Sequence, residues 1–310
     1  MLELTNRSCP VCTSNSLRVI GRPRRVDRIF ADLNNKRIDD CRIVQCGKCS
    51  LYFVNPFPSF SQKLLQKMYS NENEYFQEFT KRMERIIHYQ NPERRLSAIE
   101  KYQSRPVQKF LEIGCGQGFG LQAAQRRGWC CSGQDVSTDF ARVVKQRTGI
   151  DILVGQLNGD SFSEEYFDAI YVDSVLEHVP NPVEYMTHLR KFLSPGGILY
   201  LTLPNEGSVP NSLIDLVYLI RGQSVTSRMM PFSEPYHILG FTKKSVNQLG
   251  SSVGLRILRL TCNHSYNHIQ RYKGKTSTIK SIRRTALGIF HLVCDAFNSG
   301  MNMEVVFIKD

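Results

Sequence analysis

The stretch Phe110–Gly120, reading FLEIGCGQGFG, decides the fold of this 310-residue chain. Its apolar start is typical of a buried parallel strand, and the three glycines that follow predict a tight turn. Phe119 to Arg127, ended by Gly128, predicts a helix directly after the turn. A glycine turn between a strand and a helix lets the backbone approach a ligand closely and directs free N–H groups at it. The stretch therefore predicts a cradle for a nucleotide-type ligand.

The chain beyond this turn alternates between strand-like and helix-like segments. Further strands are predicted at Trp129–Gln134, Ile152–Val154, Ala169–Val172, Ile198–Leu203, Leu255–Leu260 and Glu304–Ile308. Helices are predicted between the earlier strands at Thr138–Arg147 and Pro182–Phe192. Such alternation is typical of a parallel sheet with helices on both faces. We therefore predict an α/β fold with a Rossmann-like, seven-stranded, mostly parallel sheet, whose ligand lies at the carboxyl ends of the strands.

Two acidic residues give the glycine turn its chemical context. Glu112 lies inside the motif, where a dinucleotide-binding turn normally carries apolar residues, and Asp135 ends the second predicted strand. An acid about 20 residues past such glycines is placed to accept hydrogen bonds from ribose hydroxyls. The pattern ExGxGxG followed by a strand-terminal acid resembles motif I and the acidic loop of class I S-adenosylmethionine-dependent methyltransferases. A dinucleotide-dependent oxidoreductase is the alternative.

Two later stretches extend this resemblance. FDAIYVDSVLEHVPNP, residues 167–182, and LSPGGILYLTLPN, residues 193–205, are similar to the later motifs of the same superfamily. The resemblance implies that S-adenosylmethionine is the cofactor and that the last strand runs antiparallel. It also implies a set of cofactor-binding residues from the methionine end to the adenine, namely Glu112, Gly114, Cys115, Gly116, Gly118, Asp135, Val136, Gln156, Leu157, Asp173 and Ser174.

The first fifty residues contain two CxxC pairs, formed by Cys9 with Cys12 and by Cys46 with Cys49. Two such knuckles supply four thiolates, the tetrahedral ligand set of a structural zinc ion, and four unrelated thiols are the alternative. With the connector CGKCSLYFVNPFPS, residues 46–59, they resemble a bacterial branch of these methyltransferases. That branch carries an N-terminal zinc ribbon and is associated with saccharide or other small-molecule methylation.

This organisation divides the chain into three parts. We predict a zinc-ribbon-like domain at residues 1–60, a helical connector or lid at residues 61–105, and a methyltransferase domain at residues 106–310 with an insertion near residues 205–240. In the connector, a short helix is predicted at Gln62–Tyr69, and two helices within Glu74–Tyr102 are joined at Asn91-Pro92. These helices either pack on the sheet or cover the cofactor.

The charge of the chain favours anionic partners. The net charge is +12, and no Asp or Glu occurs from Pro235 to Cys294. This basic segment is either a solvated face or a patch that faces the substrate. No apolar run approaches the roughly 18 residues of a membrane span, and no signal pattern opens the sequence, so we expect a cytoplasmic protein.

Three kinds of partner fit these features. The first is a small-molecule acceptor, anionic or sugar-linked. The second is nucleic acid, since an RNA phosphate backbone would suit Arg22, Arg24, Arg25 and Arg28, although aromatic platforms are sparse there. The third is a membrane surface: a helix predicted at Thr278–Asn298 is basic and then apolar, which suits either packing on the sheet or peripheral membrane contact.

Methyl transfer from a sulfonium is an in-line displacement, so positioning of the acceptor contributes most of the acceleration. A hydroxyl acceptor also loses a proton, and a neutral histidine suits that step. His178 and His237 are the candidate bases; the alternatives are a backbone hydrogen bond for His178 and a turn cap for His237. We predict a methyltransferase acting on oxygen or carbon of a saccharide, nucleotide-linked sugar or other small molecule. An RNA methyltransferase and a non-enzymatic cofactor-binding scaffold are the alternatives.

Overall fold

The computed structural model of the chain describes residues 2–24, 36–61, 64–65, 68–69, 92–233, 236–263 and 288–310. The helix predicted between residues 74 and 91 lies outside these ranges. So do most of the helix predicted at Gln62–Tyr69, the beginning of the one predicted at Thr278–Asn298, and the arginines Arg25 and Arg28.

Five short strands form the N-terminal part of the molecule: β1 Leu2–Thr5, β2 Leu17–Gly21, β3 Arg42–Cys46, β4 Tyr52–Asn55 and β5 Phe57–Phe60. A 3₁₀ turn, Lys36–Asp40, precedes β3. Strands β1 and β5 pair antiparallel, and β2, β3 and β4 form an antiparallel meander. The β-branched and aromatic side chains of β3 and β4 favour a packed, extended conformation. Among them, Ile43 and Phe53 are fully buried.

The remainder alternates strands and helices. Its elements are α1 Pro92–Tyr102, β6 Lys109–Ile113, α2 Phe119–Arg126, β7 Cys130–Asp135, α3 Thr138–Thr148, β8 Leu153–Val154, β9 Phe167–Asp173, α4 Pro182–Phe192, β10 Leu193–Pro204, α5 Val209–Ile220, β11 Leu239–Gly240, α6 Lys243–Ser252, β12 Arg256–Asn263 and β13 Asn302–Ile308. A last helix, α7, precedes β13 and is described over residues 288–296.

These strands form one seven-stranded sheet in the order β8-β7-β6-β9-β10-β13-β12. Strand β13 runs antiparallel to both β10 and β12, while the pairs from β8 to β10 are parallel. The predicted fold class and the predicted antiparallel last strand are therefore confirmed. Within the described ranges, no helix has both the length and the apolar content needed to cross a membrane.

The element boundaries agree with the sequence at two prolines and differ at one strand. Helices α1 and α4 begin at Pro92 and Pro182, because a fixed φ and a missing N–H suit the first position of a helix. Strand β10 was predicted from Ile198 but begins at Leu193. Leu193 already pairs with Phe167, and the next paired residue is Ile198, which lies opposite Ala169. The register shift between them contains the glycine turn that was predicted to precede the strand.

The sheet separates two apolar cores. Alternate residues of a strand point to opposite faces, so Leu111 and Ile113 of β6 join one core, while Phe110 joins the other. The first core continues without a break into the N-terminal part, where it includes Val11 and Phe53. The N-terminal strands are therefore packed onto one face of the large sheet.

Strand β11 joins the two parts of the molecule. It pairs antiparallel with β4, so that Leu239 lies opposite Phe53 and Gly240 opposite Tyr52. The guanidinium of Arg228 also lies over the Tyr52 ring, 4.6 Å from its centroid. The N-terminal sheet thus gains its fourth strand from a segment that follows β10 in the chain. The domain boundary near residue 60 stays a prediction.

Removal of residues 1–60 tests how far the remainder depends on this packing. The deletion leaves β11 without its partner and exposes the side of the first core that contains Leu239. Because most of the favourable free energy of folding comes from apolar burial, we expect residues 61–310 to lose cooperative thermal unfolding, measured by circular dichroism. A truncated chain that melts cooperatively at the temperature of the full chain would show instead that the two parts fold independently.

Candidate active site

The turn after β6 has the backbone that its glycines predict. Gly114, Gly116 and Gly118 have φ angles of +64°, +50° and +73°, in the left-handed region that side chains other than glycine rarely adopt. A Cβ atom at Gly114 would also lie only 2.3 Å from a methyl carbon of Val175. The turn therefore needs glycine both for its conformation and for its close approach to the chain after β9.

Glu112 anchors this turn to helix α2. Its side chain is buried, and its Oε2 accepts a hydrogen bond of 2.7 Å from the N–H of Leu121 in the first turn of the helix. A Cβ atom at Gly120 would lie 2.3 Å from Oε1, so only glycine leaves room for the carboxyl group. Burial raises the pKa of Glu112 to about 8, against the opposing effect of the bond from Leu121. Contact of Glu112 with a cofactor stays a prediction.

Asp135, at the end of β7, faces the same turn. Its Oδ2 accepts from Gly116 N at 2.8 Å, and its Oδ1 accepts from Ser137 N at 2.9 Å. Burial raises the pKa of Asp135 to about 6, while the bonds from Ser137 and Gly116 act in the opposite direction. Each carboxylate oxygen has a second lone pair, so the group can still accept hydrogen bonds from a ligand.

A cavity of about 600 Å³ opens at the carboxyl ends of the central strands. It is lined by both candidate bases, His178 and His237, and by every predicted cofactor residue except Gly118. Gly118 is instead the N-cap residue of helix α2. A Cβ atom at Gly118 would lie 3.0 Å from a methyl carbon of Val144. The structure thus brings the two histidines and the glycine turn to one cavity, as expected where parallel strands end. The individual binding roles stay predictions.

A charged network lies at the base of this cavity. Arg95 of α1 forms an ion pair with Asp173 and also donates to the hydroxyl of Tyr171. Asp173 accepts further bonds from Tyr171, at 2.9 Å, and from Thr202. Burial alone would raise the pKa of Asp173, but the Arg95 charge and these hydrogen bonds hold it below its ordinary value. Arg95 was missed in the sequence because a single arginine on a helix belongs to no motif.

Three titratable side chains meet on the other side of the cavity. The rings of His178 and His237 lie 4.9 Å apart, and Nε2 of His237 is 3.7 Å from Oε1 of Glu177. Glu177 is 1% exposed, and neither of its carboxyl oxygens has a hydrogen-bond partner among the described residues. Ligand atoms of all three lie within 4.8 Å of one another, a set of residue types that could also hold a metal ion.

Burial controls the protonation of this cluster. It raises the pKa of Glu177 to about 8, lowers that of His178 to about 4, and lowers that of His237 well below its ordinary value. Nδ1 of His178 lies 3.3 Å from the carbonyl oxygen of Tyr236 and 3.1 Å from the hydroxyl of Tyr69. Because a carbonyl only accepts, the first contact requires Nδ1 to carry the proton, which leaves Nε2 as the basic nitrogen.

Sequence reasoning singled out the two histidines but missed Glu177 and Tyr69. Glu177 directly precedes His178 in the LEHV stretch, so the Glu-His pair at a strand end was the available signal. Tyr69 belongs to the predicted connector, and no sequence spacing links it to His178. The backbone contact considered for His178 is present, since its Nδ1 lies near the Tyr236 carbonyl.

The four predicted metal-binding cysteines converge in the N-terminal part. The Sγ atoms of Cys9 and Cys49 are 3.5 Å apart, as are those of Cys12 and Cys46, and all four lie within 4.8 Å of one another. Each knuckle ends in a residue with positive φ, Thr13 in one and Ser50 in the other, whose N–H bonds back to the first cysteine carbonyl. Cys41 lies outside the group, with its Sγ near the Pro56 carbonyl oxygen.

Comparison with known proteins agrees with this geometry. A family model described as a methyltransferase domain matches residues 75–260. The chain is 26% identical over 177 residues to the ubiquinone biosynthesis O-methyltransferase of Histophilus somni, covering 51% of this chain and 72% of that protein. It is also 26% identical over 183 residues to the protein of the same name in Coxiella burnetii, covering 57% of this chain and 76% of that protein.

A solved structure shares the fold. Phosphoethanolamine N-methyltransferase 2 of Haemonchus contortus, in complex with S-adenosyl-L-methionine, superposes with a TM-score of 0.50 at 14% identity. The superposition covers 83% of this chain and 62% of that one. The family match spans more than half of the sequence and includes the glycine turn, Asp135 and His178. The chain therefore belongs to the methyltransferase domain family and is a class I S-adenosylmethionine-dependent methyltransferase.

Proposed function

We propose that this methyltransferase transfers a methyl group to a hydroxyl group of a small-molecule acceptor. The observation that supports this most strongly is that His178 and His237 line the same cavity as the glycine turn, with the buried carboxyl group of Glu177 beside them. A hydroxyl acceptor must lose its proton as it attacks, and this cluster supplies a proton acceptor shielded from water. The similarity to O-methyltransferases of ubiquinone biosynthesis favours the same acceptor atom.

The residues around the glycine turn fit S-adenosylmethionine, which supplies an electrophilic methyl group when bound. The backbone of Gly114 and Gly116 can approach the methionine portion, since no side chain intervenes. Asp135 keeps free lone pairs for the two ribose hydroxyls. Val136 and Leu157 line the cavity near Asp135 and would contact the adenine.

Glu177 and His237 together suit proton removal better than either residue alone. A buried histidine with a strongly lowered pKa is a weak base, because the imidazolium formed in a dry site is not stabilised. An ionised Glu177 beside Nε2 of His237 would stabilise that cation. The pair is therefore active when Glu177 has lost its proton, and the rate should rise with pH through about 8.

The finer acceptor class stays a prediction from sequence resemblance. A saccharide or nucleotide-linked sugar, and methylation at carbon, are both compatible with the same cluster of residues. RNA is less well supported: Arg22 and Arg24 do not line the cavity, and Arg24 instead donates to the hydroxyl of Tyr218 at 3.1 Å. Because His178 and His237 line a cavity of about 600 Å³, their position favours an acceptor small enough to enter it.

The cysteine cluster supports a structural zinc ion in the N-terminal part, held by Cys9, Cys12, Cys46 and Cys49. Four thiolates satisfy the tetrahedral coordination of zinc, so no position is left for a substrate. The connector at residues 61–105 borders the cofactor cavity through Leu65, Tyr69 and Arg95. This placement favours the role of the connector as a cover for the cofactor.

Asp135→Asn tests the cofactor site. The amide nitrogen would face one of the two N–H donors that the carboxylate now accepts, and an acceptor for ribose is lost. We expect S-adenosylmethionine affinity, measured by calorimetry, to fall by roughly tenfold or more. In the native protein, affinity should fall as the pH drops through about 6, because protonation removes acceptor capacity. Asp151→Asn, an exposed position paired with Lys145, is the matched control; unchanged affinity in Asp135→Asn would refute the assignment.

An acceptor screen with isotopically labelled methyl donor tests the reaction. We offer phenolic hydroxyls, nucleotide-linked sugars and an RNA pool, and expect label in a hydroxylated small molecule.

With that acceptor, Glu177→Gln should reduce kcat by roughly 10²- to 10⁴-fold and abolish the rise in rate through pH 8. Glu164→Gln, on the surface beside Lys191, is the control. Label found in RNA alone would overturn the proposal, and a wild-type profile in Glu177→Gln would remove its base.

Metal analysis tests the cysteine cluster. We expect about one zinc ion per purified chain and little metal in the double variant Cys12→Ser with Cys46→Ser, with a lower melting temperature because metal binding contributes folding free energy. Cys41→Ser, in the same core but outside the cluster, should keep its metal. Purified native protein with far less than one equivalent of zinc would contradict this prediction.

A further inference from the structure

Helix α5 presents its polar side to the protein and its apolar side outward. Asn211 is buried and donates to the carboxylate of Glu206 at 3.0 Å. Asp215 forms an ion pair of 2.7 Å with Arg228 and accepts from the N–H of Ser227. The other side is solvent-exposed and carries Leu213, Ile214, Leu216, Val217, Leu219 and Ile220, the last two being 72% and 76% exposed. This is the reverse of a helix that packs on a core.

Helix α7 has the same inverted pattern. Three exposed apolar residues of the helix, and a fourth directly after it that is 78% exposed, recur at helical spacing: Ile289, Leu292, Val293 and Phe297. His291 and Cys294 are buried on the opposite side, and Asn298 donates to the Leu260 carbonyl of β12. Packing on the sheet, one of the two expectations from the sequence for this helix, is therefore wrong for Ile289, Leu292 and Val293.

The start of α5 and the residues just after α7 are joined near the carboxyl end of β10. The N–H of Val209, at the start of α5, donates to Ser299 just after α7 at 3.2 Å. Asn205, at the end of β10, donates to the Gly300 carbonyl at 2.8 Å. We define the apolar surface as the outward residues Leu213, Ile214, Leu216, Val217, Leu219 and Ile220 of α5, Ile289, Leu292 and Val293 of α7, and Phe297 directly after α7. Exposed apolar residues concentrated on adjacent helices mark an interaction site more often than scattered ones do.

Two basic residues lie beside helix α5, and the sequence that precedes α7 is also basic. Arg221 is exposed directly after α5, and Arg24 donates to Tyr218 on the same helix. The sequence between β12 and α7, residues 264–287, contains six Lys or Arg residues and no Asp or Glu. Apolar helix faces combined with basic residues match the interfacial zone of an anionic bilayer. Two-fold pairing with a second copy would instead bring these like charges together.

We propose that the apolar surface docks this methyltransferase peripherally on a membrane that contains anionic phospholipid. The outward leucines and Phe297 enter the boundary between headgroups and acyl chains, while Arg24 and Arg221 contact lipid phosphates. This interaction involves none of the residues that line the cofactor cavity, so it is separable from the proposed acceptor chemistry.

Vesicle flotation with the full-length protein tests the proposal. We expect binding to phosphatidylcholine vesicles that contain phosphatidylglycerol, weaker binding to pure phosphatidylcholine, and release by salt. The double variant Leu216→Glu with Leu292→Glu should lower vesicle affinity by roughly tenfold or more, because two apolar side chains no longer enter the bilayer. Leu153→Glu, an exposed leucine on the opposite edge of the sheet, is the matched control and should bind like the native protein.

Circular dichroism melting establishes that each variant is folded, and Leu219→Glu provides a second test at a more exposed position. Native protein that does not float with anionic vesicles would overturn the proposal. Equal flotation of the native protein and the double variant would overturn it as well. A dimer in sedimentation velocity that dissociates in Leu216→Glu, without vesicle binding, would assign the apolar surface to a second copy of the chain.

Discussion

The ion pair between Arg95 and Asp173 is the interaction on which the site depends. It fixes α1 to the carboxyl end of β9, and Thr202 extends the network to β10. The two side chains are 13% and 22% exposed, so removing one partner leaves a poorly solvated charge, at a cost below the roughly 3–5 kcal/mol of a fully buried pair. Since α1 supplies Arg95 and the sheet supplies Asp173, this wall of the cavity is stable only when α1 is packed against the end of β9.

The exclusion of water that makes the cavity reactive also limits its stability. Burial raises the pKa of Glu177 from its ordinary value of 4.5 to about 8, so stability is highest below the ordinary value and falls as the pH rises toward about 8. In the mechanism proposed above, the same loss of a proton creates the carboxylate that would assist His237. The protein is therefore expected to gain activity in the pH range where its fold becomes weaker, a relation common where function needs a strained environment.

The sequence was most informative where backbone constraints are local. The glycine turn, the proline starts of α1 and α4, and the two cysteine knuckles each depend on residues within a few positions, so their spacing could be interpreted directly. Strand β11 has only two residues and exists because β4 lies beside it, so no local pattern announces it. Glu177 and Tyr69 were not predicted for a related reason, because their neighbours come from distant segments of the chain. The burial that determines the pKa of Glu177 cannot be derived from residue spacing.

Strand β11 has a consequence for how the two ends of the molecule communicate. It begins two residues after His237 and pairs with β4, which pairs with β3, the strand that ends at Cys46. Among the described residues, two strand pairings therefore connect Cys46 to the segment that begins two residues after His237. A change in the N-terminal strands would therefore reach the backbone beside His237 through β4 and β11, with no substitution among the residues that line the cavity.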